Sequence, residues 1–155
     1  MRRRIGVFAA IMIVLAAGSV LLAQGNAFVG TWKLNVAKSK YNPGPAPQSS
    51  TRTWDASGMV MVNGINAAGK ATSYGYTIKE DGKEYPTVGA IPNTADKITS
   101  KKIDANTYEA TFTKAGKQVE VTSFKISNAG KTLTIHAKGT PDVGGFDNLQ
   151  VWEKQ

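Results

Sequence analysis

The feature that most constrains this chain is a period of two. Between Phe28 and Val36, residues Phe28, Gly30, Trp32, Leu34 and Val36 fall on one side and Val29, Thr31, Lys33 and Asn35 on the other. Strict alternation rich in aromatic and β-branched residues describes a half-buried strand. The rhythm continues to the end of the chain. Strands are expected over Ser50 to Asp55, Met59 to Ala67, Ala71 to Lys79, Lys83 to Val88, Asp96 to Ile103, Thr107 to Lys114, Lys117 to Ser127, Lys131 to Lys138 and Leu149 to Lys154. Asp81-Gly82 reads as a hairpin turn between the third and fourth of these. The pattern of Lys117 to Ser127 changes face near Thr122-Ser123, which predicts a bulge.

No window carries apolar residues at three-and-four spacing with caps, so no helix is expected. Ala37 to Ser50 contains Pro43-Gly44-Pro45-Ala46-Pro47 and reads as an extended linker that neither coils nor pairs. Four turns end in Gly-Lys, at Gly69, Gly82, Gly116 and Gly130, where glycine supplies a positive φ and lysine a wet tip. An all-β antiparallel up-and-down meander of about eight to ten strands must manage its edges, and closure into a barrel does so. The aromatic-rich first and last strands are expected to pair. A β-sandwich is the alternative that the same pattern permits.

The N-terminus sets the address. Arg2, Arg3 and Arg4 precede an uncharged apolar run from Ile5 to Ala23, broken only by Gly18-Ser19. This is the build of a signal peptide over 1–23, with cleavage after Ala23 or, as a second choice, after Ala27. The run just reaches the length of a spanning helix, but Gly18-Ser19 suits a cleavage region better, so no stable membrane anchor is expected once it is removed. The protein is expected to be periplasmic or secreted, by the ordinary secretory route rather than the twin-arginine one. The chain has no cysteine, hence no lipid-modified cysteine and no disulfide.

Residues 24–155 form one domain, large enough for a core without staples. Without the three N-terminal arginines, Lys+Arg falls from 19 to 16 against 11 acidic residues, and the net charge from +8 to +5. Evenly scattered lysines on an exported chain describe a solvated surface, not a nucleic-acid partner.

Gly30-Thr31-Trp32 at the start and Val151-Trp152-Glu153-Lys154 at the end resemble the opening and closing motifs of calycin barrels, the lipocalins and fatty-acid-binding proteins. The resemblance implies a lipocalin-like barrel in which Gly30, Trp32 and Trp152 are structural residues of the closing strands. It departs from the fatty-acid-binding branch at two points. That branch has a helix pair where this chain has a proline-rich connection of about fourteen residues. It also has an arginine two residues before the final aromatic, where this chain has Gln150.

Chemistry-bearing residues are few. His136 is the only histidine, and alternation with Leu133, Ile135 and Ala137 turns it to solvent, away from any identified nucleophile. One histidine and no cysteine argue against a transition-metal site, and no cofactor is expected. Asp142 and Asp147 flank a glycine-rich loop; they read as turn residues rather than calcium ligands. Arg52 and Trp54 share one face of a strand. An exterior surface pair is the expectation; were that face interior, the two would hold an anionic or aromatic ligand. Met59, Met61, Tyr74, Tyr76, Tyr108 and Phe112 either line a cavity or fill the barrel.

The functional expectation is therefore non-enzymatic binding of a small apolar or amphipathic ligand, with Arg52, Trp54, Met61, Tyr74, Tyr76, Tyr108 and Phe112 as its residues. The alternative is a protein- or glycan-binding module with a solid core, acting through the loops Ala37 to Ser50 and Gly139 to Asn148.

Overall fold

The structure, a computed structural model, describes residues 25–127 and 129–155. The proposed signal segment, 1–23, lies outside the described residues. Eleven strands form: β1 (Gly30–Leu34), β2 (Ser49–Trp54), β3 (Met59–Ile65), β4 (Ala71–Thr77), β5 (Glu84–Pro86), β6 (Val88–Gly89), β7 (Lys97–Asp104), β8 (Thr107–Lys114), β9 (Lys117–Ile126), β10 (Thr132–Gly139) and β11 (Asp147–Lys154). They make one antiparallel sheet in the order β5-β7-β8-β9-β10-β11-β1-β2-β3-β4-β6, curled into a nearly closed barrel. β1 and β11 pair as the sequence predicts, bringing Trp32 opposite Lys154 and Leu34 opposite Trp152.

The sheet's two ends are β5 and β6, adjacent in the chain, so the seam lies in the middle of the sequence. Here the expected hairpin at Asp81-Gly82 does not form. The single return strand expected over Lys83 to Val88 is split: Glu84–Pro86 pairs with β7, and Val88–Gly89 pairs with β4. The chain crosses the gap between β4 and β7 instead of turning back on β4, which is why there are eleven strands. Pro86, which has no N–H to offer, sits on a strand at the sheet's end, where that donor is not needed. Above this crossing, buried Ser100 of β7 stitches the gap with its hydroxyl. It accepts from the Lys79 amide at 2.9 Å and donates to the Lys79 carbonyl at 2.7 Å.

The expectation of no helix and an unpaired linker needs correction at three places. Val36–Lys38 and Pro141–Val143 are single 3₁₀ turns. Within the linker, Lys40 pairs with Leu149 as an isolated bridge. The glycines of the four Gly-Lys turns all have φ between 67° and 78°.

The core divides along the barrel axis. One end is solid. Phe28, Trp54, Tyr108 and Phe124 interlock there, with ring centroids 4.8 Å apart for Phe28–Trp54, 4.9 Å for Phe28–Tyr108 and 5.9 Å for Trp54–Phe124. Tilted and edge-on rings of this kind add about 0.5–1.5 kcal/mol per pair to plain burial. Trp32 is also fully buried, its indole N–H donating to the Phe28 carbonyl at 2.9 Å. The other end, where β2 and β4 begin and β3 and β10 finish, is open.

Candidate functional site

The open half is a cavity of about 320 Å³, walled by Arg52, Tyr74, Tyr76, Phe112, Glu120 and Ile135 among others. It adjoins a second trough of about 440 Å³, and Tyr41, Pro45, Tyr74, Pro92, Asn148 and Gln150 belong to both. The interior is therefore neither filled nor hollow throughout: the aromatic floor is packed, and side chains do not fill the mouth half. Hollows of this size suit a small molecule and are too large for one or two waters.

Two connections shape the mouth. The proline-rich segment is tied to the strand opposite it: the Asp147 amide donates to the Asn42 carbonyl at 2.7 Å and the Asn42 amide to the Asn148 side chain at 3.0 Å. The loop after β10 folds Phe146 back onto Gly139. A Cβ on Gly139 would lie 2.2 Å from that ring, so only glycine allows the approach.

Arg52 is the central correction to the sequence reading. It points inward and is 3% exposed, as is the 2%-exposed Trp54 beside it. Pairing explains this: Arg52 sits opposite Val62 and Trp54 opposite Val60, both buried, so this face of β2 shares the core with β3. The same register turns Met59 and Met61 outward. Met61 lies across from Gly75, against the surface where a Cβ would be 2.4 Å from its sulfur. Met61 is thereby removed from the set of cavity residues. Trp54 and Tyr108 are inside but belong to the solid floor. Arg52, Tyr74, Tyr76 and Phe112 of the expected set do line the cavity.

Arg52 lies at the boundary between floor and cavity. Its guanidinium stacks over Trp152, 4.7 Å from the ring centroid, and donates from Nη1 to the Tyr76 hydroxyl. Nε has no partner, and among the described residues no carboxylate lies within salt-bridge distance of it. Arginine stays protonated in proteins, so this is a buried cation balanced only by ring faces and one hydroxyl. Desolvating an ion costs several kcal/mol, which the rings of Trp152, Tyr76 and Phe124, at 4.7, 5.7 and 5.9 Å, offset at about 2 kcal/mol each. Nε still lacks a hydrogen-bond acceptor.

Glu120 was not among the residues picked from sequence. Between Val119 and Val121, alternation would turn it to solvent. The pairing of β8 with β9 slips there, Phe112 facing Glu120 but Thr113 facing Gln118, so Val119 is the extra residue of a bulge. The expected bulge thus exists, three residues earlier than the sequence suggests. It puts Glu120, Thr122, Phe124 and Ile126 inside together. The carboxyl is 8% exposed, accepts from the Asn93 amide at 2.6 Å and from the Thr122 hydroxyl, and is pushed above the usual range chiefly by burial, which these bonds and Arg52 only partly oppose. Burial also pushes Tyr41 up to about 12 and raises Tyr74 and Tyr76, so these phenols keep their protons.

Gln150 lines the cavity, and its side-chain oxygen accepts from the Trp152 indole at 3.1 Å. On the outside, His136 faces solvent as expected, but it has an acidic neighbour: Nε2 lies 2.6 Å from Asp147, with Lys138 at 3.4 Å from the same carboxylate. Asp142 pairs with Lys117 at 2.6 Å. Both aspartates thus face cationic side chains. Among the described residues no group of three or more His, Cys, Asp or Glu could hold a metal ion, and no helix is long and apolar enough to cross a membrane.

No protein family, curated protein or solved structure matches this chain. Its antiparallel, nearly closed barrel is compatible with a calycin-like fold.

Proposed function

We propose that this chain is an exported, lipocalin-like binding protein that takes a small amphipathic molecule into the open half of its barrel without transforming it. The observation that carries the reading is Arg52: a buried cation without a carboxylate partner, set in the wall of a cavity whose lining is about evenly apolar, with Tyr74, Phe112 and Ile135, and polar, with Asn93, Glu120 and Gln150. Apolar burial contributes binding energy at roughly 25 cal/mol per Å², and Arg52 with the tyrosine hydroxyls supplies the orientation. The solid floor makes the opposite end a closed base, so entry is from the mouth.

The turn at the start of the fold discriminates between the two cleavage points of the proposed signal. Asn26 caps the entry to β1, its carbonyl and side chain accepting from the Val29 and Phe28 amides, and the Ala27 carbonyl accepts from Lys154. Cleavage after Ala23 keeps this turn; cleavage after Ala27 would remove it.

The test is native mass spectrometry of protein purified from its own compartment, before and after solvent extraction, with titration of the neutral probe N-phenyl-1-naphthylamine. The expected results are an N-terminus at Gln24, a mass loss of a few hundred daltons, as befits a ligand of such a cavity, and one probe site per chain. A chain that carries nothing and takes up no probe sinks the proposal.

A further inference from the structure

A buried carboxyl in the same wall as an unpaired arginine has a consequence for what the cavity accepts. Arg52 comes from β2 and Glu120 from β9, strands separated by β10, β11 and β1 in the curled sheet, and both side chains line one cavity. They do not meet: Glu120 is held by Asn93 and Thr122, and Arg52 by Tyr76 and the rings around it. The titratable or charged groups on the cavity wall are Tyr41, Tyr74 and Tyr76 from the linker and β4, Arg52 from β2, and Glu120 from β9. The titratable side chains of the rim, Lys117 with Asp142 and His136 with Asp147 and Lys138, are engaged with one another on the outside.

We infer that Glu120 sets the charge specificity of this site: Arg52 accepts a head group bearing a single negative charge, Glu120 turns away a second, and an ionised Glu120 competes with the ligand for Arg52. This rests on the cavity being a ligand site. With a neutral Glu120, the Arg52 guanidinium and the hydroxyls of Tyr76 and Glu120 are all donors, which suits one carboxylate or sulfonate. Once Glu120 ionises, one cavity wall carries a negative charge as well as Arg52 in a low-dielectric medium, and a further anion gains little from Arg52. The buried carboxyl favours its neutral form, so the anion-accepting state persists above the pH where an ordinary glutamate has ionised.

Two probes with one ring system separate this inference from the binding reading itself. 8-Anilinonaphthalene-1-sulfonate carries one negative charge at every pH used; N-phenyl-1-naphthylamine carries none. On the whole mature protein, affinity for the sulfonate is expected to fall about tenfold per pH unit beyond the Glu120 transition, which lies above that of an ordinary glutamate, while the amine stays constant. Glu120→Gln, which keeps the side-chain shape, should abolish the fall. Above the transition that the native protein's sulfonate profile shows, naphthalene-2,3-dicarboxylate should displace the amine from Glu120→Gln better than from the native protein, whereas 2-naphthoate should not gain from the substitution below it. If neither probe binds, the ligand site itself fails. If both bind but the sulfonate is insensitive to pH, or Glu120→Gln keeps the fall, the site stands and this inference is overturned. The native protein's pH profile decides even if the variant does not fold.

Discussion

Glu120 and Arg52 show how much a single buried ionisable group changes the behaviour of a small barrel. The folded state raises the pKa of Glu120, so between its ordinary value and its raised value the native chain binds more protons than the unfolded one. Its contribution to stability is therefore complete below about pH 4.3, the ordinary glutamate value, and is lost as pH rises through the folded value. The exposed carboxylates act in the opposite sense: Asp147, lowered first by its bond to His136, and Glu153, lowered first by its bond to Lys38, favour folding above their ordinary range. Solvent screens both. Glu120→Gln is accordingly expected to lose stability at acid pH relative to the native chain and to gain on it steadily as pH rises. Urea unfolding at a series of pH values measures this, and a constant difference would contradict it.

At the scale of elements, the seam between β4 and β7 is where closure is thinnest. Short β5 and β6 cap the two sheet ends, and the Ser100 hydroxyl substitutes for a missing strand–strand ladder by serving both the amide and the carbonyl of Lys79. Ser100→Ala removes both bonds to Lys79, an exposed residue whose amide and carbonyl water can reach in part, and a loss of about 0.5–1.5 kcal/mol per bond is expected from denaturant unfolding. A cost within experimental error would mean that water enters the seam and replaces the hydroxyl. The sequence pattern located every long strand to within a few residues, because alternation persists wherever one face is buried. It misplaced the two elements whose partner is decided by closure. Asp81-Gly82 has hairpin chemistry, but β4 already pairs with β3, and its free edge takes only Val88–Gly89. The β9 bulge was legible as a break in alternation; its position was not, since Val119 and Val121 are equally suitable for the core.

Over the whole molecule, stability is concentrated at the closed end. The surface ion pairs are about half exposed and worth roughly 0–1 kcal/mol each. Truncating a buried Trp such as Trp54 costs about 3–5 kcal/mol. The aromatic floor therefore outweighs the charged surface by a wide margin. Native-state hydrogen exchange should show it: amides of β1, β8, β9, β10 and β11 near the floor exchange slowest, and those of β5 and β6 fastest. Uniform protection around the barrel would refute this division. Sequence alone determined the class of fold, the pairing of the first and last strands and the outward histidine, because a two-residue period and turn glycines are local and need no partner to be read. Tertiary structure alone decided which face of β2 is interior, where β9 bulges and how the barrel closes at its seam. Those outcomes depend on which strand lies alongside, and a strand with polar residues on both faces, such as Ser49–Trp54, carries no local signal of that choice.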